Sequence, residues 1–196
     1  AEKIAPLRIG PRLEETIRAA GAVPALDVDL RFRTEVDGAG LEQEFDLVVA
    51  ADGVNSTLRR RHADAFGPAL DRRRAKYVWF GTDHVFDAFT FAFRETEHGL
   101  FNAHAYPYDE RMSTFIVECD EATWLNAGFD RLDLDGTIAA CERLFERWLG
   151  GHRLMSNARH LAEPWSNLVR VRNRAWFHGN IVLIGDAAHT AHFSIG

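Results

Sequence analysis

The chain has 196 residues, 46% of them hydrophobic and 27% charged, and carries a net charge of −6. That supplies one sizeable core or two small ones. A net negative chain does not suit a general nucleic-acid binder, which needs cationic faces to release counterions from phosphate, and no apolar run approaches the roughly 18 residues of a membrane-spanning helix.

In chain order, "PRLEETIRAAGA" (11–22) sets Leu13, Ile17 and Ala20 at helical spacing, and Gly21 sits where a helix ends. Leu26 to Val36 alternates apolar and polar residues as a half-buried strand does, and "DGAG" is its turn. Leu47 to Ala51 is continuously apolar, the pattern of a strand covered on both faces. Asp52-Gly53 breaks it, and 54–66 reads as a helix. Four β-rich runs follow, "KYVWFGT" (76–82), "AFTFAFRET" (88–96), "HGLFNAHAYPY" (98–108) and "STFIVEC" (113–119). Separated by polar or Gly/Pro turns, they predict an antiparallel sheet. Helices are expected at 121–129 and 134–151, the second with Ile138, Cys141, Leu144, Phe145 and Trp148 along one face. Strand returns at 167–179, and a last apolar strand ends in "GDAAH".

The expected fold class is therefore α/β (α+β): a partial Rossmann-like layer, 1–74 with 163–196, and between them an antiparallel β-sheet domain with flanking helices, 75–162. Two strands, "DLVVAADG" and "NIVLIGDAAH", each end in Asp and Gly. Placed side by side in one parallel sheet, their carboxyl ends would form the edge where such sheets bind ligands. Gly53 and Gly185 allow tight turns and close ligand approach. Asp52 and Asp186 are placed either to cap a helix or to take a ligand hydroxyl, and Ser56 is placed to cap or hold its turn. Arg59 and Arg60 can pair with a carboxylate or a phosphate. Ala187 and Ala188 leave backbone room beside the second turn.

"ADGVNSTLR", 51–59, has the form A-D-G-x-x-S-x-x-R, and "GDAAH", 185–189, follows it in order with a β-rich insert between. On these motifs the chain resembles the group A FAD-dependent aromatic monooxygenases of the para-hydroxybenzoate hydroxylase type. "WFGT", "EHGLFNAHAY" and "GDAAHTAHFSIG" look like the salicylyl-CoA 5-hydroxylase and 2-aminobenzoyl-CoA monooxygenase branch, which acts on aromatic acyl-CoA thioesters. In many relatives a proline follows GDAAH; here "TAHFSIG" stands in its place.

The resemblance implies FAD as cofactor and NADPH or NADH as co-substrate. It also implies O2, an aromatic small-molecule or acyl-CoA substrate, and hydroxylation through a flavin hydroperoxide. By resemblance Asp186 would bond a ribityl hydroxyl, Asp52 and Gly53 would lie near the pyrophosphate, and Ser56, Arg59, Gly185, Ala187, Ala188, His189 and Gly196 would complete the flavin site. The helix after Gly185 would point its N-terminus at the flavin. The family's N-terminal G-x-G-x-x-G turn has no counterpart here, and with no initiator Met or signal-type region the chain reads as an internal piece that holds FAD weakly or not at all. Two other readings stand beside this one: a flavin-dependent relative such as a halogenase, whose W-x-W-x-I-P motif is absent, and a non-catalytic ligand-binding module.

Lesser features have plainer readings. His189 and His192 have helical spacing but no third ligand, so no metal is expected. Arg59–Arg61 and Arg72–Arg74 read as solvated faces, or as a docking surface for CoA or NADPH phosphates. His104 and Tyr106 are substrate-side candidates on the sheet, with ordinary packing as the alternative. The five tryptophans are expected in the core, and Cys119 and Cys141 as reduced thiols of a cytoplasmic protein. Neither a nucleic-acid nor a membrane partner is expected, and the sequence leaves the oligomeric state open.

Overall fold

The computed structural model describes Arg31, residues 34–156 and residues 163–192. The expected helix at 11–22, most of the strand at 26–36, and Gly196 lie outside the described residues. The chain divides into two compact units, one built from residues up to Asp71 with Val169–Ala191, the other from Arg72–Leu168 with His192.

The first unit holds a three-stranded sheet: β1 (Val48–Ala50), β9 (Ile181–Leu183) and β8 (Phe177–His178), in the order β1-β9-β8. β1 and β9 are parallel, with Val48 opposite Ile181 and Ala50 opposite Leu183. Val48, Ala50, Ile181 and Leu183 pack with Leu58, Phe66 and Ala188 into one core. The run at 47–51 was expected to be covered on both faces, but only one face is: Val49 is 44% and Leu47 57% exposed. With three short strands among the described residues, the sheet is packed on one side, and the alternate residues of β1 meet solvent. After β1 come α1 (Thr57–Arg61) and α2 (Ala63–Phe66), two short pieces in place of the single helix expected.

The second unit is a larger antiparallel sheet. Its strands are β2 (Pro68–Thr82), β3 (Thr90–Thr96), β4 (Gly99–Pro107), β5 (Ser113–Cys119), β6 (Leu154–Met155) and β7 (Ser166–Asn173), ordered β3-β4-β5-β2-β6 with β7 paired to β2 off that path. The four expected β runs are thus present, and β2 begins earlier than expected, so that Arg72–Arg74 lie on a strand and are exposed. The turn between β3 and β4 requires Gly99: its φ is +131°, and a Cβ there would stand 2.1 Å from the Thr123 hydroxyl.

Period-two alternation sends Val78, Phe80, Phe101, Ala103, Phe115 and Val117 to one face, where they pack against Ile138, Cys141, Phe145 and Leu149. The covering helices are α3 (Glu121–Asn126), α4 (Leu134–Leu144) and α5 (Glu146–Leu149). Asp120 and Asp133 cap the first two, accepting from the Thr123 and Gly136 amides at 2.7 and 2.8 Å. One helix was expected over 134–151; it breaks at Phe145, whose backbone leaves the helical region while its ring is fully buried. Of the tryptophans, Trp165 is core, whereas Trp79 and Trp176 are about half exposed, against expectation. Both cysteines are free and buried, and burial pushes the Cys119 thiol up to about 12. Among the described residues no helix is long and apolar enough to cross a membrane.

Candidate functional site: paired strand ends and an aromatic-rimmed sheet face

The register of β1 on β9 sets the geometry of the first unit. With Ala50 opposite Leu183, and the Ile184 amide donating to the Ala50 carbonyl at 3.0 Å, the two chains leave the sheet side by side. Asp52-Gly53 and Gly185-Asp186 are therefore adjacent turns at one edge of the sheet, each following a strand of its parallel pair. Both glycines have positive φ, +79° at Gly53 and +55° at Gly185, and at both nothing lies within 4 Å of where a Cβ would be. The left-handed backbone favours glycine, and the open space in front leaves room for close approach of a ligand.

The two aspartates differ. Asp52 is a helix cap: its Oδ2 accepts from the Thr57 amide at 2.7 Å and the Leu58 amide at 3.4 Å, while the Ser56 hydroxyl accepts from the Arg59 amide at 3.0 Å. Asp186 is exposed, makes no capping bond, and has no hydrogen-bond partner among the described residues. α6 (Gly185–Ala188) is a single turn, and His189 is extended. The longer helix expected after Gly185, with its dipole, is not present among the described residues. His189 and His192 share no helix, and no group of three metal-ligating side chains occurs among the described residues.

Arg59 is the hidden part of this edge. Only 1% exposed, it donates from Nη1 to the Ala187 carbonyl at 2.9 Å and from Nη2 to the Val54 carbonyl. One guanidinium thereby ties the turn after β1 to the turn after β9, and burial lowers its pKa. The first Arg triplet is thus no uniform solvated face; Arg60 and Arg61 are exposed and Arg59 is not. Two further ties went unpredicted. Asn173 Nδ2 donates to the Ala187 carbonyl at 3.2 Å and to that of Ala188. The Thr190 hydroxyl donates to the Val169 carbonyl and accepts from the Val171 amide, both at 2.7 Å. An Asn following alternating residues and a Thr just past GDAAH carry no periodic signal, so only the pairing shows them. A groove of about 510 Å³ runs along β1, lined by Val49, Asp52, Gly53, Asn55 and Leu58 among others; Gly185 and Asp186 lie outside it.

In the second unit, His104 and Tyr106 point away from the helix-covered core. Register aligns side chains of that outer face in rows across the strands: Phe91, His104, Ile116 and Trp79 form one row. Phe93, Asn102, Glu118 and Tyr77 form the next. The face has aromatic residues at both sides, on β3 and β2, with His104 and Asn102 on β4 and Ile116 and Glu118 on β5 between them. Phe91 meets His104 edge-on at 4.9 Å, and Phe89 stacks on Tyr106 at 5.1 Å. Glu118 stands between two imidazoles, with His192 Nε2 3.0 Å and His104 Nε2 3.9 Å from its oxygens. Burial holds the His104 pKa below its usual value; Glu118 opposes that shift and His192 adds to it. Neither Glu118 nor His192 was singled out from the sequence as part of this face.

Against known proteins, no family model matches. The chain is 43% identical over 192 residues to salicyloyl-CoA 5-hydroxylase of a Streptomyces species, covering 94% of this chain and 35% of that protein. It is 42% identical over 153 residues to 3-hydroxy-4-methyl-anthranilyl-[aryl-carrier protein] 5-monooxygenase of Streptosporangium sibiricum, covering 78% of this chain and 39% of the relative. Over most of its own length the chain is thus similar to named hydroxylases and monooxygenases. It spans between a third and two fifths of the length of these relatives. Protodeoxyviolaceinate monooxygenase of Chromobacterium violaceum is similar too, 38% identical over 78% of this chain and 40% of that protein. Among solved structures, 2-methyl-3-hydroxypyridine-5-carboxylic acid oxygenase shares the fold with a TM-score of 0.64 at 16% identity, over 90% of this chain and 49% of the other. The flavin-dependent brominase Bmp2 shares it with a TM-score of 0.52 at 13% identity, over 74% of this chain and 37% of the other. The mixed α/β class expected from the sequence is the fold of these solved structures.

Proposed function

We propose that the protein containing this chain is an FAD-dependent, NAD(P)H-using oxygenase that hydroxylates an aromatic thioester. The observation that carries this is the pair of glycine turns at the ends of adjacent parallel strands, Gly53 and Gly185, both left-handed and both open in front. The residues fit a flavin dinucleotide. Asp186 offers to a ribityl hydroxyl an exposed carboxylate that has no partner among the described residues, Gly53 and Gly185 let a large ligand approach the backbone, and the groove beside Asp52 and Gly53 adds depth. Asp52, Ser56 and Arg59 act one step back: they hold the turns rather than the ligand. Ala187, Ala188 and His189 continue the second turn, with the two alanines buried and His189 exposed. When bound, FAD reduced by NADPH or NADH supplies the activation of O2. The protein's own contribution is to orient the flavin, exclude water and position the ring.

The substrate class follows from the relatives. Salicyloyl and anthranilyl both denote a benzoyl group with a hydroxyl or amino substituent at ring position 2, and both relatives oxidise position 5, para to it. One is held as a CoA thioester and the other on a carrier protein, so the shared element is the aromatic thioester. Arg72–Arg74, exposed on β2, are the residues offered to the phosphates of such a carrier or of NADPH.

The test uses the full-length protein. It should purify with FAD, and a 2-hydroxybenzoyl or 2-aminobenzoyl thioester should stimulate its NAD(P)H oxidation, with label from 18O2 in the product. Absence of bound flavin after reconstitution overturns the reading in favour of a ligand-binding module. The 196-residue chain alone should hold FAD more weakly than micromolar.

A further inference from the structure

The outer face of the second unit has a composition that asks for a ligand. Exposed hydrophobic side chains in a contiguous row mark binding surfaces, and Phe89, Phe91 and Phe93 are each at least half exposed along one edge. Trp79, 47% exposed, stands on the opposite side, three strands away. At about 4.8 Å per strand the span is roughly 14 Å, wide enough for one aromatic ring lying between the two sides.

The floor between them carries His104, Asn102 and Glu118 beside a buried Ile116. Glu118 lies there with only 15% of its side chain exposed, and Asn102 is its direct neighbour across the β4–β5 pair. The Oδ1 of Asn102 is buried and has no hydrogen-bond partner among the described residues. A buried acceptor left unmet is costly, and here it sits beside a carboxylate. The two cross-strand rows contain no Lys or Arg. The floor therefore rejects a ring carboxylate and accepts from a ring donor.

Building on the oxygenase reading above, we propose that Glu118, oriented by His104 and His192 and assisted by Asn102, is the specificity determinant for the ring substituent. It accepts a hydrogen bond from the hydroxyl or amino group at position 2 of the aromatic thioester, while the flanking aromatic side chains hold the ring. Glu118 recognises the donor, and the acyl group, masked as a thioester, needs no cation at this face. The two imidazoles keep the carboxylate fixed: His192 Nε2 is at hydrogen-bond distance, and His104 packs beneath Phe91.

The test is a binding measurement on the full-length protein, read by equilibrium dialysis with N-acetylcysteamine thioesters of 2-hydroxybenzoate, 2-aminobenzoate and benzoate. The wild type should bind the first two about tenfold more tightly than the benzoyl thioester. In Glu118→Gln and Glu118→Ala that preference should fall to within about twofold, with benzoyl thioester affinity unchanged. Circular dichroism and flavin content report whether the variants fold. Equal binding of all three thioesters by the wild type, no binding of any, or a preference that survives both variants would overturn the proposal. Because flavin content and NAD(P)H oxidation are read separately, such an outcome leaves the oxygenase reading to its own test.

Discussion

The edge of the first unit and the outer face of the second are made from different parts of the amino acid. At Gly53 and Gly185 the backbone itself forms the site: φ of +79° and +55°, no side chain, and open space in front. At Glu118, His104 and Phe91 the site is all side chain, brought together by strand register. A backbone site demands particular residues at fixed spacing and so leaves a motif. A register-built face demands only that residues from three strands align, and leaves none.

That contrast can be broken most sharply at Arg59. If the backbone edge depends on its buried tie, Arg59→Met should cost about 3 kcal/mol, because two carbonyls lose charge-assisted hydrogen bonds and a guanidinium-sized volume is poorly refilled. Thermal unfolding measures it. Arg59→Lys should recover little, since one ammonium does not reproduce the fork that reaches both Val54 and Ala187. A loss below about 0.5 kcal/mol would show that the two turns hold without it. Next in size is Gly185→Ala. Its Cβ meets nothing, so the stability cost should be only the left-handed backbone penalty of about 1–2 kcal/mol. FAD affinity of the full-length protein should nevertheless fall at least tenfold if the open space receives the flavin. Equal flavin affinity in the variant would detach this turn from the cofactor.

Much of the fold was legible because its elements follow simple periods. The alternation in "FNAHAYP" and "STFIVEC" places Phe101, Ala103, Phe115 and Val117 on the core face, as β4 and β5 do. An Asp beside a Gly at the end of each of two apolar runs announced adjacent strand ends, and the parallel pair β1–β9 is there. What was not legible has physical reasons. Leu47–Ala51 reads as doubly covered, yet Val49 is exposed, because coverage depends on neighbouring elements that a local pattern does not contain. Arg59 sits in a basic triplet whose letters suggest solvent; only the carbonyls of Val54 and Ala187, one of them 128 positions away, show it is internal. Asp52 and Asp186 look alike in sequence, but one is consumed by the amides of α1 and the other stays open. The sheet face named through His104 and Tyr106 was half seen: its centre, Glu118, is a lone acid in an apolar strand, distinguished only by the imidazoles opposite.

The smallest expected effect tests whether that centre is held in the protonation state the structure implies. Burial, with a smaller contribution from His192, lowers the His104 pKa below its ordinary value near 6.5, and Glu118 opposes the shift without reversing it. The native state therefore favours the neutral imidazole. As pH falls from 7 through about 6.5 the unfolded chain takes up this proton before the folded one, so stability declines. The decline continues until the folded-state value is passed and then levels off, because both states are protonated. The stabilisation is thus fully present above pH 6.5 and lost on acidification. Comparing wild type with His104→Gln isolates this from the other groups on the face, Glu118 and His192, since both are kept. The difference in denaturant midpoint between the two proteins should change between pH 7.5 and pH 5, the wild type losing more. Parallel curves would mean that His104 is as readily charged in the folded state as in water, and that the face is wetter than its burial implies.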